Sequence, residues 1–227
     1  MKTILITGAA GNLGKAVVEH LHQQGYQVLA TFSTDRDIKL YDHLPNVRSY
    51  VVNVLDEASV DAFMTSTADF DLRAVVLLVG GFAMGTIQET DSRLLEKMID
   101  LNFMSAFNII KPLMSRFEQQ GGGQFILIGA RPTLNPAEGK GMVAYALSKA
   151  LVFELAKLIN AAGKLHHTTA TVVVPSTVDT PANRAAMPDA DSAYWVPAEK
   201  IADLIAFLVS DTGRMTRETV VKIYNRA

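Results

Sequence analysis

Residues 3–14 read TILITGAAGNLG, and this stretch decides the fold. Positions 3–7 form a short apolar run without a charge, which is typical of a strand buried in a parallel sheet. Three glycines follow at regular spacing: Gly8, Gly11 and Gly14. Because glycine has no Cβ, such a turn can be tight and its backbone can lie close to a ligand. The stretch therefore predicts a strand, a glycine turn and a helix whose first N–H groups bind phosphate.

The rest of the chain continues this alternation of strand and helix. Runs rich in Val, Ile and Leu predict six further strands, at residues 27–31, 48–52, 74–79, 124–128, 169–174 and 218–224. Apolar residues at helical spacing lie between them: Leu13, Val17 and Leu21; Leu147, Leu151, Leu155 and Leu158; and, in a helix opened by Pro197, Ile201, Ile205 and Leu208. This order predicts a single Rossmann-type α/β domain over residues 1–227. Its sheet should be a doubly wound, seven-stranded parallel sheet with helices on both faces.

Composition narrows the possible functions. Basic and acidic residues nearly balance, 21 against 23, so the chain lacks the basic surface of a nucleic-acid binder. There is no cysteine, which excludes disulfides, zinc–thiolate sites and a thiol nucleophile. The five histidines lack metal-ligand spacing, so no metal site is expected. Since neither a signal peptide nor an apolar run of membrane length is seen, we expect a cytoplasmic protein that acts on a small molecule, without a membrane or nucleic-acid partner.

The end of the second predicted strand bears on the choice of cofactor. In this position an acidic residue usually binds the ribose 2′-hydroxyl of NAD, and the aligned residue here is Ser33. Ser33, Thr34 and Arg36 can instead hold a 2′-phosphate, with Arg36 giving charge-assisted hydrogen bonds. The segment therefore favours NADP over NAD, whereas an inward-turned Asp35 would suit NAD.

A Tyr-x-x-x-Lys motif lies in the second half of the chain, at Tyr145 and Lys149. Residues four apart on a helix share a face. A lysine ammonium beside a phenol should lower the tyrosine pKa from its usual value of about 10. The pair therefore predicts a proton donor that accompanies hydride transfer.

The glycine turn and the Tyr145–Lys149 pair together resemble the short-chain dehydrogenase/reductase family over essentially the whole chain. The resemblance implies an NAD(P)-dependent oxidoreductase with Tyr145 as proton donor, Lys149 as its activator and ribose anchor, and Asn102 supporting a proton relay. It also implies a homo-oligomer, a dimer or tetramer, paired through helices that carry Leu101, Phe103 and Phe107, and Leu151, Leu155 and Leu158. The cofactor-binding positions it implies are Gly8, Gly11, Asn12, Leu13, Gly14, Ser33, Thr34, Arg36, Asn53, Val54, Gly80, Gly81, Tyr145, Lys149, Pro175, Val178 and Thr180.

One departure from the family pattern bears directly on catalysis. The family places a serine just after the fifth strand, and this chain has Ala130 there. Loss of a hydrogen-bond donor to a substrate oxygen typically costs ~10²–10³ in rate. Thr133 is a candidate substitute. A non-catalytic dinucleotide sensor is the alternative that Ala130 favours, whereas the retained Tyr145, Lys149 and Asn102 favour an enzyme.

Within the family, the chain resembles the dihydropteridine reductases. The shared features are Val-Gly-Gly at 79–81, Gly-Ala at 129–130, and the segments VDTPANR at 178–184, MPDAD at 187–191 and WVP at 195–197. The resemblance implies reduction of a quinonoid dihydropterin, a conjugated acceptor for which a missing serine matters less. Those enzymes carry an acid that supports NADH use where this chain has Ser33. Reduction of another carbonyl or an imine is the alternative activity.

Overall fold

The computed structural model describes residues 1–226. Within these residues the structure has nine strands: β1 Thr3–Thr7, β2 Gln27–Phe32, β3 Val47–Val51, β4 Leu72–Leu77, β5 Gly123–Ile128, β6 Thr168–Pro175, β7 Val178–Asp179, β8 Val196–Pro197 and β9 Val220–Ile223. Seven of them form one parallel sheet in the order β3-β2-β1-β4-β5-β6-β9. This confirms the predicted Rossmann-type sheet.

Helices cover both faces of the sheet. Their bounds are α1 Asn12–Gln23, α2 Glu57–Ser66, α3 Ser92–Ile99, α4 Ser105–Gln119, α5 Arg131–Leu134, α6 Pro136–Gly139, α7 Val143–Ala162, α8 Pro181–Ala186 and α9 Ala198–Val209. Helices α1 and α9 bury Val17, Leu21, Ile201 and Ile205 against one face. Helices α2, α4 and α7 bury Phe63, Leu113 and Val152 against the other. Among residues 1–226, no helix combines the length and apolar character needed to cross a bilayer.

Several predicted boundaries differ from the observed ones. The fourth strand ends at Leu77 rather than Val79, because the N–H of Leu78 leaves the ladder and donates to Thr7 Oγ1 at 3.2 Å. The last strand is shorter than residues 218–224, since the Glu218 carboxylate turns back and accepts from the N–H of Val220. The ribbon of β7 and β8 was not predicted, because two-residue strands show no periodicity.

The outer face of α7 is partly apolar. Leu147, Leu151 and Leu158 are exposed there, whereas Leu155 is buried in the core. The prediction that Leu155 belongs to the face that pairs with a second copy is therefore wrong. The four leucines of α7 span a wide part of its surface, and Leu155 lies on the side that faces the core. Phe103, just before α4, stacks on Phe107 at the start of α4, with ring centroids 5.8 Å apart.

The order of the strands sets the position of a ligand. Strands β2 and β3 extend the sheet on one side of β1, and β4 and the later strands extend it on the other side. The order of the strands therefore switches direction between β1 and β4. Ligands of such sheets bind at this switch point, outside the carboxyl ends of the strands. The glycine turn after β1 meets the loop after β4 there, since a Cβ at Gly8 would lie 3.0 Å from the backbone nitrogen of Val79.

Candidate active site

The glycine turn forms a cradle at the start of α1. Gly8 has φ of +69°, which favours glycine, and a Cβ at Gly14 would overlap the carbonyl oxygen of Gly8. Among residues 1–226, no acceptor is found for the backbone N–H groups of residues 12–14. These amides lie at the positive end of the α1 dipole. The turn therefore fits the diphosphate of a dinucleotide.

Tyr41 anchors this turn and was missed in the sequence. Its hydroxyl donates to the carbonyl of Ala9 at 2.6 Å, and the side chain is buried. Burial, followed by the nearby Glu19 and Asp37, raises the pKa of Tyr41 above its usual range. The phenol therefore stays a neutral donor. No local pattern marks Tyr41, because its partner lies far away in the sequence.

The residues after β2 are open to solvent. Ser33 and Thr34 are exposed, and Arg36 is exposed in the short 3₁₀ turn Asp35–Asp37. Within residues 1–226, the Arg36 guanidinium makes neither a hydrogen bond nor an ion pair. Its charge is therefore available to a ligand at this edge of the sheet.

Tyr145 and Lys149 lie in the first half of α7. Lys149 is buried, and its Nζ donates to the carbonyl of Ile128 at 2.8 Å. The Tyr145 ring packs edge-to-face against Phe82, with centroids 5.1 Å apart, while Phe82 itself is 60% exposed. Phe82 is a second residue that the sequence did not single out. It offers an aromatic surface directly beside the candidate proton donor.

The electrostatics of this pair correct the sequence-based expectation. Burial raises the pKa of Tyr145 to about 12 and lowers the pKa of Lys149 to about 8. The predicted lowering of the tyrosine pKa is therefore wrong for this structure. The cause is geometric: the ammonium donates to the carbonyl of Ile128 and not to the phenol, so desolvation dominates both groups.

Asn102 connects the loop after β4 to helix α7. It lies in the π-helical turn Asp100–Met104 and is buried. Its Oδ1 accepts from the N–H of Gly81, and its Nδ2 donates to the Gly81 carbonyl and to Ser148 Oγ, all at 3.0 Å. Ser148 Oγ in turn donates to the carbonyl of Tyr145 at 2.8 Å. Ser148, a variable position of the motif, is therefore a further positioning residue that the sequence did not reveal.

The predicted residues Gly80, Gly81, Asn102 and Lys149 come together at this point. A Cβ at Gly80 would lie 2.8 Å from Asn102 Oδ1 and 3.5 Å from Lys149 Nζ. A Cβ at Gly81 would lie 2.8 Å from Leu101 Cδ1. A side chain at either position would collide with these neighbours. The surface that this loop presents to a ligand is therefore its backbone.

The segment after β5 lacks a hydroxyl where the family has its serine. Ala130 is buried at the end of this strand. Thr133 does not take its place, because Thr133 Oγ1 donates to the carbonyl of Ala146 at 3.3 Å. Arg131 instead pairs with Glu138 at 2.7 Å and lies over the ring of Tyr224.

The segment after β6 carries the last predicted cofactor positions. Pro175 ends β6, Val178 lies in β7, and Thr180 caps α8 by accepting from the N–H of Asn183 at 3.1 Å. Asn183 also donates through Nδ2 to the carbonyl of Val178 at 2.8 Å. This side-chain bond, which the sequence did not predict, fixes the turn that leads into α8.

Asn53 and Val54 lie just after β3, at the same edge of the sheet. Asn53 is exposed, and its Oδ1 accepts from the N–H of Leu55 at 3.1 Å. Val54 is buried, and its carbonyl accepts from the side chain of Asn108 at 3.0 Å. The loop is therefore held by its own Asn53 side chain and by the Asn108 side chain of α4.

A family model described as short chain dehydrogenase matches residues 2–191. The chain belongs to this family. It is therefore an NAD(P)-dependent oxidoreductase. This short-chain dehydrogenase is 28% identical to dehydrogenase/reductase SDR family member 6 of Danio rerio, over 98% of this chain and 95% of that protein. It is also 28% identical to the dihydropteridine reductase of Dictyostelium discoideum, over 100% of this chain and 96% of that protein. The solved structure of ElxO with NADP bound has the same fold, with a TM-score of 0.89 at 20% identity, over 98% of this chain and 96% of that one.

The lowered pKa of Lys149 predicts the pH dependence of this short-chain dehydrogenase. Because the pKa is about 8 instead of 10.5, the ammonium is present at pH 7 and is lost as the pH rises through about 8. We expect kcat/KM, which reports groups of the free enzyme, to fall about fivefold between pH 8 and pH 9. Lys149→Arg keeps its charge over this range, so its remaining activity should not fall. A wild-type profile that stays flat to pH 9 would contradict the assignment.

Proposed function

We propose that this protein reduces a small conjugated substrate of the quinonoid dihydropterin type with NAD(P)H. The observation that carries the proposal is the pairing of an aromatic surface with a missing donor. An exposed ring, Phe82, packs against the ring of Tyr145. Ala130, at the position where the family has its serine, is buried and offers no second hydrogen-bond donor. The 28% identity to the dihydropteridine reductase of Dictyostelium discoideum supports the same substrate class.

Each predicted residue has a distinct task in this proposal. When bound, the cofactor supplies the hydride. The free amides of residues 12–14 hold its diphosphate, and the ammonium of Lys149 holds its nicotinamide ribose. Tyr145 donates a proton to the reduced substrate. Asn102 and Ser148 keep the loop after β4 and the catalytic helix at a fixed separation, so that the donor and the cofactor loop stay aligned.

The chemistry of the acceptor explains how Ala130 can be tolerated. Reduction of a simple ketone concentrates negative charge on one oxygen, which a second hydrogen-bond donor stabilises. A conjugated ring spreads the incoming electron pair over several atoms, so that one proton donor suffices. The flat ring of such a substrate can pack on Phe82, which is 60% exposed and lies against the ring of Tyr145.

Two alternatives follow from the same site. A reductase of another carbonyl or an imine would use the same Tyr145 and Lys149. A non-catalytic dinucleotide sensor would account for Ala130 but not for a proton donor beside a buried lysine. Turnover of any substrate excludes the sensor, and comparison of pterin with simple ketones separates the two reductases.

The cofactor proposed here is NADPH, with NADH as the alternative. Arg36 is exposed and makes no ion pair within residues 1–226, and Ser33 carries no charge that would repel a 2′-phosphate. The likeness to ElxO, which was solved with NADP bound, supports this preference only at the level of the fold.

We also propose that the protein pairs with a second copy through α4 and α7. Leu147, Leu151 and Leu158 form an exposed row on α7, and Phe103 and Phe107 stack at the start of α4. A two-fold axis through this face would bury the row against its own copy. The assembly is then a homodimer, or a tetramer built from such dimers.

Tyr145→Phe is the first test of the chemistry. The substitution keeps the ring and its contact with Phe82 but removes the hydroxyl. We expect turnover to fall by about 10²–10⁴-fold while the dissociation constant for NADPH stays nearly unchanged. Lys149→Ala should impair both quantities, because the ammonium that holds the nicotinamide ribose also orients the cofactor for hydride transfer. Steady-state kinetics and coenzyme fluorescence measure the two effects, and wild-type turnover by Tyr145→Phe would overturn the assignment.

Ala130→Ser tests the substrate class. A serine hydroxyl there should raise the reduction of simple ketones, by up to about 10²-fold, because it supplies the second donor to the carbonyl oxygen. On quinonoid dihydropterin it should change kcat/KM by less than about twofold, since the conjugated ring does not need that donor. A large gain on the pterin would mean that Ala130 impairs the site instead of fitting it to the substrate.

Arg36→Ala tests the coenzyme preference. Removal of the guanidinium should weaken NADPH by about tenfold and leave NADH unchanged, because only NADPH carries the 2′-phosphate. Arg93→Ala, which removes an exposed charge on α3, is the matched control. Dissociation constants from coenzyme fluorescence decide the point: equal effects on both coenzymes would exclude Arg36 from the 2′-phosphate site.

Leu158→Glu tests the proposed pairing. Leu158 is 61% exposed, so a glutamate should be tolerated by the single chain but should disrupt a symmetric apolar interface. Light scattering at micromolar concentration should find a dimer or tetramer for the wild type and a smaller species for the variant. Leu165→Glu, at a leucine that is 85% exposed outside α7, is the control. A monomeric wild type would contradict the proposal.

A further inference from the structure

A second buried asparagine, Asn108, lies six positions after Asn102, in the middle of the apolar cluster beneath the sheet. It is 5% exposed, and its Nδ2 donates to the carbonyl of Val54 at 3.0 Å. Its Oδ1 is buried and accepts no hydrogen bond from residues 1–226. An unpaired buried amide oxygen destabilises the fold. The amide cannot be turned over, since its oxygen would then face the carbonyl oxygen of Val54.

The loop that Asn108 holds has one free donor. The N–H of Asn53 donates to Ser59 Oγ, that of Leu55 to Asn53 Oδ1 and that of Asp56 to the carbonyl of Asn53. Within residues 1–226, the N–H of Val54 has no acceptor. Asn108 therefore fixes the carbonyl of the same residue whose N–H is left for a ligand.

Helix α4 lies between α2 and α7 on one face of the sheet, and the two amides reach opposite neighbours. Asn102, in the π turn that leads into α4, bonds to Gly81 and to Ser148 on α7. Asn108 bonds to Val54, just before α2. The π turn changes the helical phase between them, so that both amides can point into the protein.

We propose that Asn108 is a positioning residue for the adenosine half of the cofactor. Its amide holds the loop at 53–56, whose Val54 N–H would be available to the adenine, while Asn102 holds the loop that would face the nicotinamide half. The inference rests on the proposed cofactor site and assigns separate roles to Asn102 and Asn108. Each half of the dinucleotide then depends on its own buried asparagine.

Asn108→Leu tests this inference, because it keeps the approximate shape of the side chain and removes the donor. Three ligands are compared: NADPH, adenosine 2′,5′-bisphosphate and reduced nicotinamide mononucleotide, which lacks the adenosine half. Calorimetry should find the first two weakened about five- to tenfold, as expected for one lost hydrogen bond. The kcat/KM with the mononucleotide as reductant should stay unchanged.

Asn160→Leu is the matched control. Asn160 lies on α7 and likewise holds a backbone segment, donating to the carbonyl of Ala170 at 2.9 Å and accepting from its N–H at 2.8 Å. It lies at the opposite end of β6 from Pro175, so its loss should lower the melting temperature without weakening adenosine 2′,5′-bisphosphate. Asn108→Ser, whose hydroxyl is too short to reach Val54, replaces Asn108→Leu if the leucine variant does not fold.

The outcomes separate this inference from the proposed function. A wild type that binds none of NADPH, NADH and adenosine 2′,5′-bisphosphate would overturn the cofactor site and the inference together. If the wild type binds NADPH and the bisphosphate and the Asn108 variants bind them equally well, the inference alone is wrong. Equal weakening of the bisphosphate and of the mononucleotide reaction would also overturn it, because Asn108 would then support the fold as a whole.

Discussion

The buried amide of Asn102 is the contact on which the geometry of the site depends. Two of its hydrogen bonds hold the backbone of Gly81, and a third reaches Ser148 in the first half of α7. The loop after β4 and helix α7 are therefore not positioned independently. The crowding of Gly80 against Asn102 and Lys149 follows from this link, since a side chain at Gly80 would force the two elements apart. The glycine is required here by a close approach and not by its backbone angles.

Burial acts on Tyr145 and Lys149 in opposite directions, and both shifts favour the uncharged forms. The phenol pKa rises to about 12 and the ammonium pKa falls to about 8. For an enzyme working as a reductase, a raised phenol pKa is an advantage at neutral pH, because the proton that must be donated is retained until the substrate accepts it. In the proposed function the lysine, held by the carbonyl of Ile128, therefore binds and orients the cofactor and does not serve to create phenolate.

The parts of the structure that the sequence predicted are those with local signals. Each of these signals can be recognised from residues close together in the sequence. They are the glycine turn, the apolar pattern of each strand or helix, and the spacing of Tyr145 and Lys149. The missed residues depend on distant partners: Tyr41 bonds to Ala9, and Phe82 packs on Tyr145. The end of β4 was misjudged for a related reason, because the side chain of Thr7 on a neighbouring strand replaces the ladder bond of Leu78.

The segment after β5 shows how a departure from the family pattern can be read from its surroundings. If Ala130 were simply a damaged serine site, a nearby hydroxyl could have taken over its contact, and Thr133 is the candidate in the sequence. The Thr133 hydroxyl instead donates to the carbonyl of Ala146 and ties the short helix α5 to the start of α7. Arg131 is likewise engaged by Glu138. Both side chains fix the segment to its neighbours, and neither takes over the missing contact. This arrangement agrees with the proposed function, in which Tyr145 is the one donor and the charge of the acceptor is spread over a ring.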